Sequence, residues 1–188
     1  MNSYVELPNG YREIEHVDLQ KDKKLALLVN VIAVIIMVIT FLIGHVIVPF
    51  WSFYDMGGIL PMVVMLVGMI AYIFLHEIVH GIFMKKYSEQ KPFYGFTGMY
   101  AYAGSNCYFS KKSYIVIALA PIVVWGIVLL VLNLIFQETW FWVIYFIQII
   151  NLSGAAGDLY VTYRFSKLPE DILIKDVGVS MTIYSKEQ

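Results

Sequence analysis

His76, Glu77 and His80 stand in the order His-Glu-x-x-His inside the otherwise apolar stretch from Ala71 to Met84. A helix turns about 100° per residue, so positions i and i+4 lie roughly 40° apart, one turn above each other. Two imidazoles placed that way can grip one metal ion from a single helix face. Glu77, adjacent to the first of them, can reach a water on that ion without ligating the ion itself. Hydrolysis is the chemistry that needs these residue types at this spacing: two histidines hold Zn²⁺, and a carboxylate accepts the proton of a water that the metal has acidified. In a soluble helix so short a pattern arises by chance. In hydrocarbon, three ionisable groups within five residues would each need a separate partner, which makes them a functional site by default.

The composition places this motif in a membrane. Of the 188 residues, 60% are hydrophobic and only 14% charged, with a mean hydropathy of +0.71. The apolar residues come in four runs, about 25–50, 58–84, 114–136 and 140–163, each reaching the roughly 20 residues that cross about 30 Å of hydrocarbon. The expected fold is an all-α polytopic membrane protein with four transmembrane helices. A small β-hairpin or re-entrant element is expected between spans 2 and 3. Residues 1–24 and 166–188 read as tails flanking a membrane domain over 25–165. The first run is too long for a signal-peptide core and has no small-residue cleavage site after it, so it reads as a retained anchor.

All 13 Lys and Arg residues fall in the N-terminal tail, at the middle loop (about 87–113) together with Lys85 and Lys86 at its start, and in the C-terminal stretch from Arg164 onward. The connections around Asp55 and around Gln137–Glu138 carry none. By the positive-inside rule, both termini and the middle loop face the cytoplasm, which only an even number of spans allows. The expected location is therefore the cell membrane, multi-pass, with both termini inside. The same map fixes depth. His80 precedes Lys85 by five residues and Asp158 precedes Arg164 by six, so both lie roughly 7–9 Å in from the same boundary. Zinc held by two histidines needs a third protein ligand and an open position; Asp158 is the expected third ligand, the alternative being an ion pair with Arg164. The small-residue run Ser153–Gly157 before it permits close helix approach and local unwinding. Asn151, two turns deeper on nearly the same face, is a candidate for binding a substrate peptide or, equally, a buried Asn satisfied by a neighbouring helix. His16 and His45 lie at other depths.

Between spans 2 and 3, Phe93–Phe109 is rich in glycine and aromatics with near-alternating apolar residues, as in a hairpin at the cytoplasmic interface. Its edge would suit the addition of an extended substrate segment, while its aromatics would also suit an interfacial belt. Leu173–Tyr184 has the same character and is expected to pair with it. Gly10–Gln20 is polar and declares no element. Cys107, the single cysteine, excludes an intramolecular disulfide and reads as a small loop residue. There is no nucleotide-binding glycine loop and no nucleic-acid footprint.

Taken in order, Leu-His76-Glu77-x-x-His80-Gly-Ile-Phe, the aromatic loop ending Cys107-Tyr-Phe109, Ala118-Leu-Ala-Pro121 and Ser153-Gly-Ala-Ala-Gly-Asp158 resemble the site-2 protease group of intramembrane zinc metalloproteases. More closely, they resemble the small bacterial "putative zincin peptidase" family. The likeness runs from about Gly58 to Arg164, and it departs from the site-2 proteases where Leu rather than Gly follows the aspartate. It implies a bacterial zinc metalloendopeptidase, with His76, His80 and Asp158 as ligands and Glu77 as general base. Its substrate would be a membrane protein or peptide cut within or beside a transmembrane segment. Its partners are then that substrate and the lipid bilayer; no segment identifies a regulatory membrane partner. The competing class is a non-proteolytic metal-binding membrane protein (a sensor, transport component or scaffold), for which a carboxylate beside the first ligand has no use.

Overall fold

The computed structural model of the protein describes residues 3–186 with the exception of 19, 99 and 138. Four segments are long and apolar enough to cross a bilayer. They are α1 (Lys23–Ile47), α3 (Leu60–Tyr87), α4 (Lys111–Ile135) and the consecutive pair α5 (Phe141–Gly154) and α6 (Ala156–Ser166). A short helix, α2 (Ser52–Asp55), lies between α1 and α3. The helix starts follow their sequence. The Asp22 carboxylate caps α1 by accepting from the Lys24 and Leu25 amides at 3.0 Å, Pro61 stands in the first turn of α3, and the Ser110 hydroxyl caps α4. On α1 only Thr40 and Gly44 are buried, while Leu28, Val31, Ile35, Ile39 and Ile43 are exposed. An apolar belt of that size is disfavoured in water and compatible with hydrocarbon, where a helix satisfies its own backbone. The helices close on each other at small residues. Tyr145 of α5 lies on the backbone of Gly44 and donates to Thr40 O at 2.8 Å.

The all-α expectation requires correction, because seven strands accompany the helices among the described residues. β1 (Ser3–Tyr4), β2 (Tyr11–Val17), β5 (Tyr108–Ser110), β6 (Leu173–Asp176) and β7 (Met181–Lys186) form an antiparallel sheet in the order β1-β5-β6-β7-β2. β3 (Phe93–Phe96) and β4 (Ala101–Gly104) form a separate hairpin with Tyr94 opposite Ala103. β1 and β5 are too short to announce themselves, and the sheet draws its strands from both tails and the middle loop. The stretch from Gly10 to Gln20 contains β2. The C-terminal strands pair with the Phe93–Phe109 stretch as expected, but through its end at β5, with Tyr108 opposite Lys175 and Phe109 opposite Ile174, rather than through the β3–β4 pair. Just after β4 they make one bond, Ser105 N to Asp176 O at 2.8 Å.

The sheet joins the three basic regions at one end of the helix bundle. Phe109, Ile174 and Ile183 from its inner face pack with Ile117 of α4 and with Val161 and Phe165 of α6. Cys107 belongs to this core and is fully buried there. Lys111 locks the start of α4 to the end of α6. Its ammonium donates to Ser166 O, Leu168 O and Glu170 Oε1 at 2.7–3.1 Å, taking up carbonyls that a helix end leaves free.

Candidate metal centre

Helix α3 presents His76 and His80 on its buried face. The fourth apolar segment breaks at Ala155, between α5 and α6, where φ is −83° and ψ 14°. The break falls within the small-residue run expected to allow unwinding, and it sets Asp158 in the first turn of α6. There the helix's positive end favours a carboxylate. His76 Nε2 lies 3.2 Å from Asp158 Oδ2, His80 Nε2 lies 3.5 Å from Asp158 Oδ1, and the two Nε2 atoms are 3.2 Å apart. Arg164 is not the partner of Asp158; its guanidinium makes a two-pronged pair with Glu15 at 3.0–3.1 Å. His16 bonds to Thr182 and His45 accepts the Phe50 amide, both away from this group.

The outer ring nitrogens decide what the inner ones can do. His80 Nδ1 lies 3.0 Å from Ile117 O, an atom that can only accept, so Nδ1 carries a proton and, in the neutral ring, Nε2 keeps a lone pair. That carbonyl is available because Pro121, four residues later inside α4, has no N–H to give it. His76 Nδ1 lies 2.8 Å from the Tyr72 hydroxyl, and Tyr72 in turn donates to Asn151 Oδ1 at 2.8 Å. The Asn151 amide nitrogen donates to Ile122 O at 3.4 Å, which orients the amide. With its one proton given to Asn151, Tyr72 must accept from His76, so this Nε2 also carries a lone pair. With both rings neutral, two lone pairs and a carboxylate converge on one point, an arrangement suited to holding a cation between them. Tetrahedral zinc with N and O ligands at about 2.0–2.2 Å places its donors about 3.3–3.6 Å apart. The observed separations of 3.2, 3.2 and 3.5 Å come within about 0.1 Å of that spacing.

Asn151 meets the His76–His80–Asp158 group only through Tyr72. It is completely buried and satisfied by neighbouring helices, the second of its two sequence readings. Tyr72, Pro121 and the carbonyl of Ile117 are the site residues that the sequence reading missed. Tyr72 had a signal, since it stands one turn before His76 on the same helix face. Pro121 had one too, as a proline inside an apolar span.

Glu77 stands outside the three-residue donor group, and its Oε2 accepts the Ala103 amide of β4 at 2.8 Å. The hairpin comes this close because Gly81, one turn after Glu77, has no side chain. A Cβ there would overlap the Tyr94 hydroxyl. From that contact the hairpin runs along α3 until Phe96 meets Phe74, with ring centroids 6.4 Å apart. Its tip is therefore level with His76. A cavity of about 320 Å³ joins these parts. It is lined by Tyr72, His76, Glu77, His80 and Asp158, by Tyr100–Ala103 of the hairpin side, and by the turn that joins β6 to β7. The turn is tied to the hairpin at Gly178, which has φ +83° and lies so close to the Tyr102 ring that no Cβ would fit. Burial raises the carboxyl pKa of Asp176, which also lines the cavity.

The model of a family described as "Putative zincin peptidase" matches residues 69–173, more than half of the chain and a segment that contains His76, Glu77, His80 and Asp158. No curated protein and no solved structure matches the chain.

Proposed function

The chain belongs to the "Putative zincin peptidase" family, which points to a metallopeptidase, and on that premise we propose that it is an intramembrane zinc metalloprotease of the site-2-protease type. Its substrates are membrane proteins or peptides, cut within or next to a transmembrane segment. The observation that carries this reading is the convergence of His76 Nε2, His80 Nε2 and the Asp158 carboxylate with both Nδ1 atoms already committed, beside a carboxylate that is not part of the group.

His76, His80 and Asp158 are the ligands of Zn²⁺, and Glu77 is the general base. When bound, zinc supplies a Lewis acid that brings the pKa of water towards about 7 and polarises the scissile carbonyl. The two histidines enter as neutral Nε2 donors because Ile117 and Tyr72 hold the other nitrogens. Glu77 takes the proton of the attacking water and returns it to the leaving amine, and its Oε2 is held in place by the Ala103 amide. A substrate helix hides its carbonyls in its own hydrogen bonds, so the segment must be extended to react. The hairpin beside Glu77 offers a strand edge for that.

The sheet that gathers both tails and the middle loop supports a cytoplasmic position for all three, since these regions carry every Lys and Arg. The test of the mechanism separates chelation from proton transfer. Purified Glu77→Gln should retain zinc and lose cleavage of a transmembrane peptide by several orders of magnitude, whereas His76→Ala and His80→Ala should lose both. Cleavage by Glu77→Gln at the wild-type rate would sink the hydrolase mechanism and leave a metal-binding protein of another kind.

A further inference from the structure

The cavity that reaches the metal centre has one more acidic wall. Asp176, at the end of β6, is 7% exposed and lines the same space as His76, Glu77 and Asp158. Its Oδ2 accepts the Tyr114 hydroxyl at 2.6 Å and its Oδ1 accepts the Gly178 amide at 2.7 Å. These donors hold the carboxylate in place but bring no positive charge, and they use only part of the roughly four acceptor positions that a carboxylate offers. Among the described residues no Lys or Arg lines the cavity and none forms an ion pair with Asp176. Glu77 and Asp158 have their own uses in the reaction. Asp176 has none, and a buried carboxylate without a counter-charge is costly. It lies beyond the segment that the family model matches.

We propose that Asp176 is a specificity subsite that takes a basic side chain, Lys or Arg, from the flank of the substrate's transmembrane segment. This inference rests on the proteolytic reading and on the cytoplasmic position of the sheet. On that side of the membrane, segments that span it carry their excess of Lys and Arg. Asp176 stands on the sheet-side wall of the cavity, so a segment entering from the membrane with its scissile bond at Glu77 brings its cytoplasmic flank toward the β6–β7 turn. An ammonium or guanidinium there gains a charge-assisted hydrogen bond and supplies the charge that Asp176 lacks.

The test uses full-length Glu77→Gln protein with zinc, in nanodiscs of phosphatidylcholine so that anionic lipid does not compete. The probes are N-acetylated Leu/Ala transmembrane peptides in which a single Lys, or Met as its neutral counterpart, is moved along the cytoplasmic flank. At one position Lys should tighten binding about ten-fold or more over Met, and Glu at that position should weaken it. Adding Asp176→Asn, whose side-chain oxygen still accepts from the Gly178 amide while its NH2 donates to the Tyr114 hydroxyl, which turns its own proton to Met181 Sδ, should abolish the Lys preference and leave the Met peptide's Kd unchanged. Equal binding of Lys and Met peptides at every position, or a preference that survives Asp176→Asn, overturns the subsite. Should the Asn variant fail to fold, the Lys, Met and Glu series on the unchanged Asp176 still decides. Cleavage of the Met peptide by the wild type reports on the protease reading separately, so either inference can fall while the other stands.

Discussion

Replacing Tyr72 by Phe removes one oxygen atom and leaves the ring packing against His76 and Trp125 in place. That oxygen joins two 2.8 Å hydrogen bonds, one with His76 Nδ1 and one to Asn151 Oδ1. Tyr72 is 5% exposed and Asn151 is fully buried, so water does not readily replace what is lost. Each polar group left unpaired costs about 1–3 kcal/mol. The larger consequence is for the metal. Without its acceptor, the Nδ1 proton of His76 is no longer favoured over the Nε2 tautomer, and the ring loses its orientation. Loss of such an outer partner weakens metal binding about 10–100-fold, equivalent to about 1.4–2.8 kcal/mol. Competition against a fluorescent zinc chelator, on protein purified in detergent, measures this directly. Asn151→Ala should weaken binding in the same direction, because Asn151 acts through Tyr72. The double variant should be little worse than Tyr72→Phe alone, since one chain of bonds is broken once. A Tyr72→Phe protein that binds zinc as tightly as the wild type would refute the tautomer assignment and the ligand role built on it.

Three further outcomes are expected. Asp158→Ala should lose zinc in the same chelator competition and lose peptide cleavage, and full zinc occupancy in that variant would remove Asp158 from the chelate. Gly178→Ala should destabilise the turn over the cavity, because its φ of +83° and the Tyr102 ring both exclude a Cβ; a lowered melting temperature and faster amide exchange in Val177–Ser180 would report it, and unchanged exchange there would contradict it. Burial holds the folded pKa of Asp176 above its ordinary 3.8, so the folded state keeps a proton that the unfolded state has lost, and stability falls as pH rises through that window. Asp176→Asn does not titrate, so its melting temperature should gain on that of the wild type as pH rises above about 4, and a constant difference would show that Asp176 is not desolvated.

The helices were legible because hydrocarbon imposes a length and a composition on any segment that crosses it, and Leu25–Phe50 or Tyr114–Phe136 meet both without help from the rest of the chain. The sheet was legible only in part: Leu173–Tyr184 read as strand-like and met the end of the Phe93–Phe109 stretch, but β1 and β2 did not show. β1 has two residues and β5 three, and β2 reads Tyr-Arg-Glu-Ile-Glu-His-Val, with a bulge between Glu13 and Glu15. A strand of that kind is specified by its neighbours, here β7 and through it β6 and β5, which lie some 90 to 170 residues further along the chain. Charge carried the missing information in coarse form. The three regions that hold the Lys and Arg residues are the three that supply the sheet, so the same asymmetry that orients spans also marked which segments meet.

In the candidate site, the residues that carry protons or lone pairs were legible, and those that aim them were not. His76 and His80 declare themselves by spacing, and Asp158 by its depth relative to Arg164. What converts two histidines into two Nε2 donors is a carbonyl and a phenol, and neither is a residue type that chemistry-seeking inspection singles out. Pro121 shows why. Its effect falls four residues earlier, on Ile117, and one helix away, on His80, so its local signature is only that of a helix irregularity. Pro121→Ala would restore an N–H to α4 and set it in competition with His80 Nδ1 for Ile117 O. A proline inside a helix interior costs about 3 kcal/mol relative to Ala. The substitution should therefore raise the melting temperature of the metal-free protein while weakening zinc binding. Those opposite signs, read on one sample by thermal melting and chelator competition, distinguish a proline kept for the metal from one kept for packing. A variant that loses stability and zinc together would show that Pro121 serves the fold of α4, and that His80 holds its tautomer by another route.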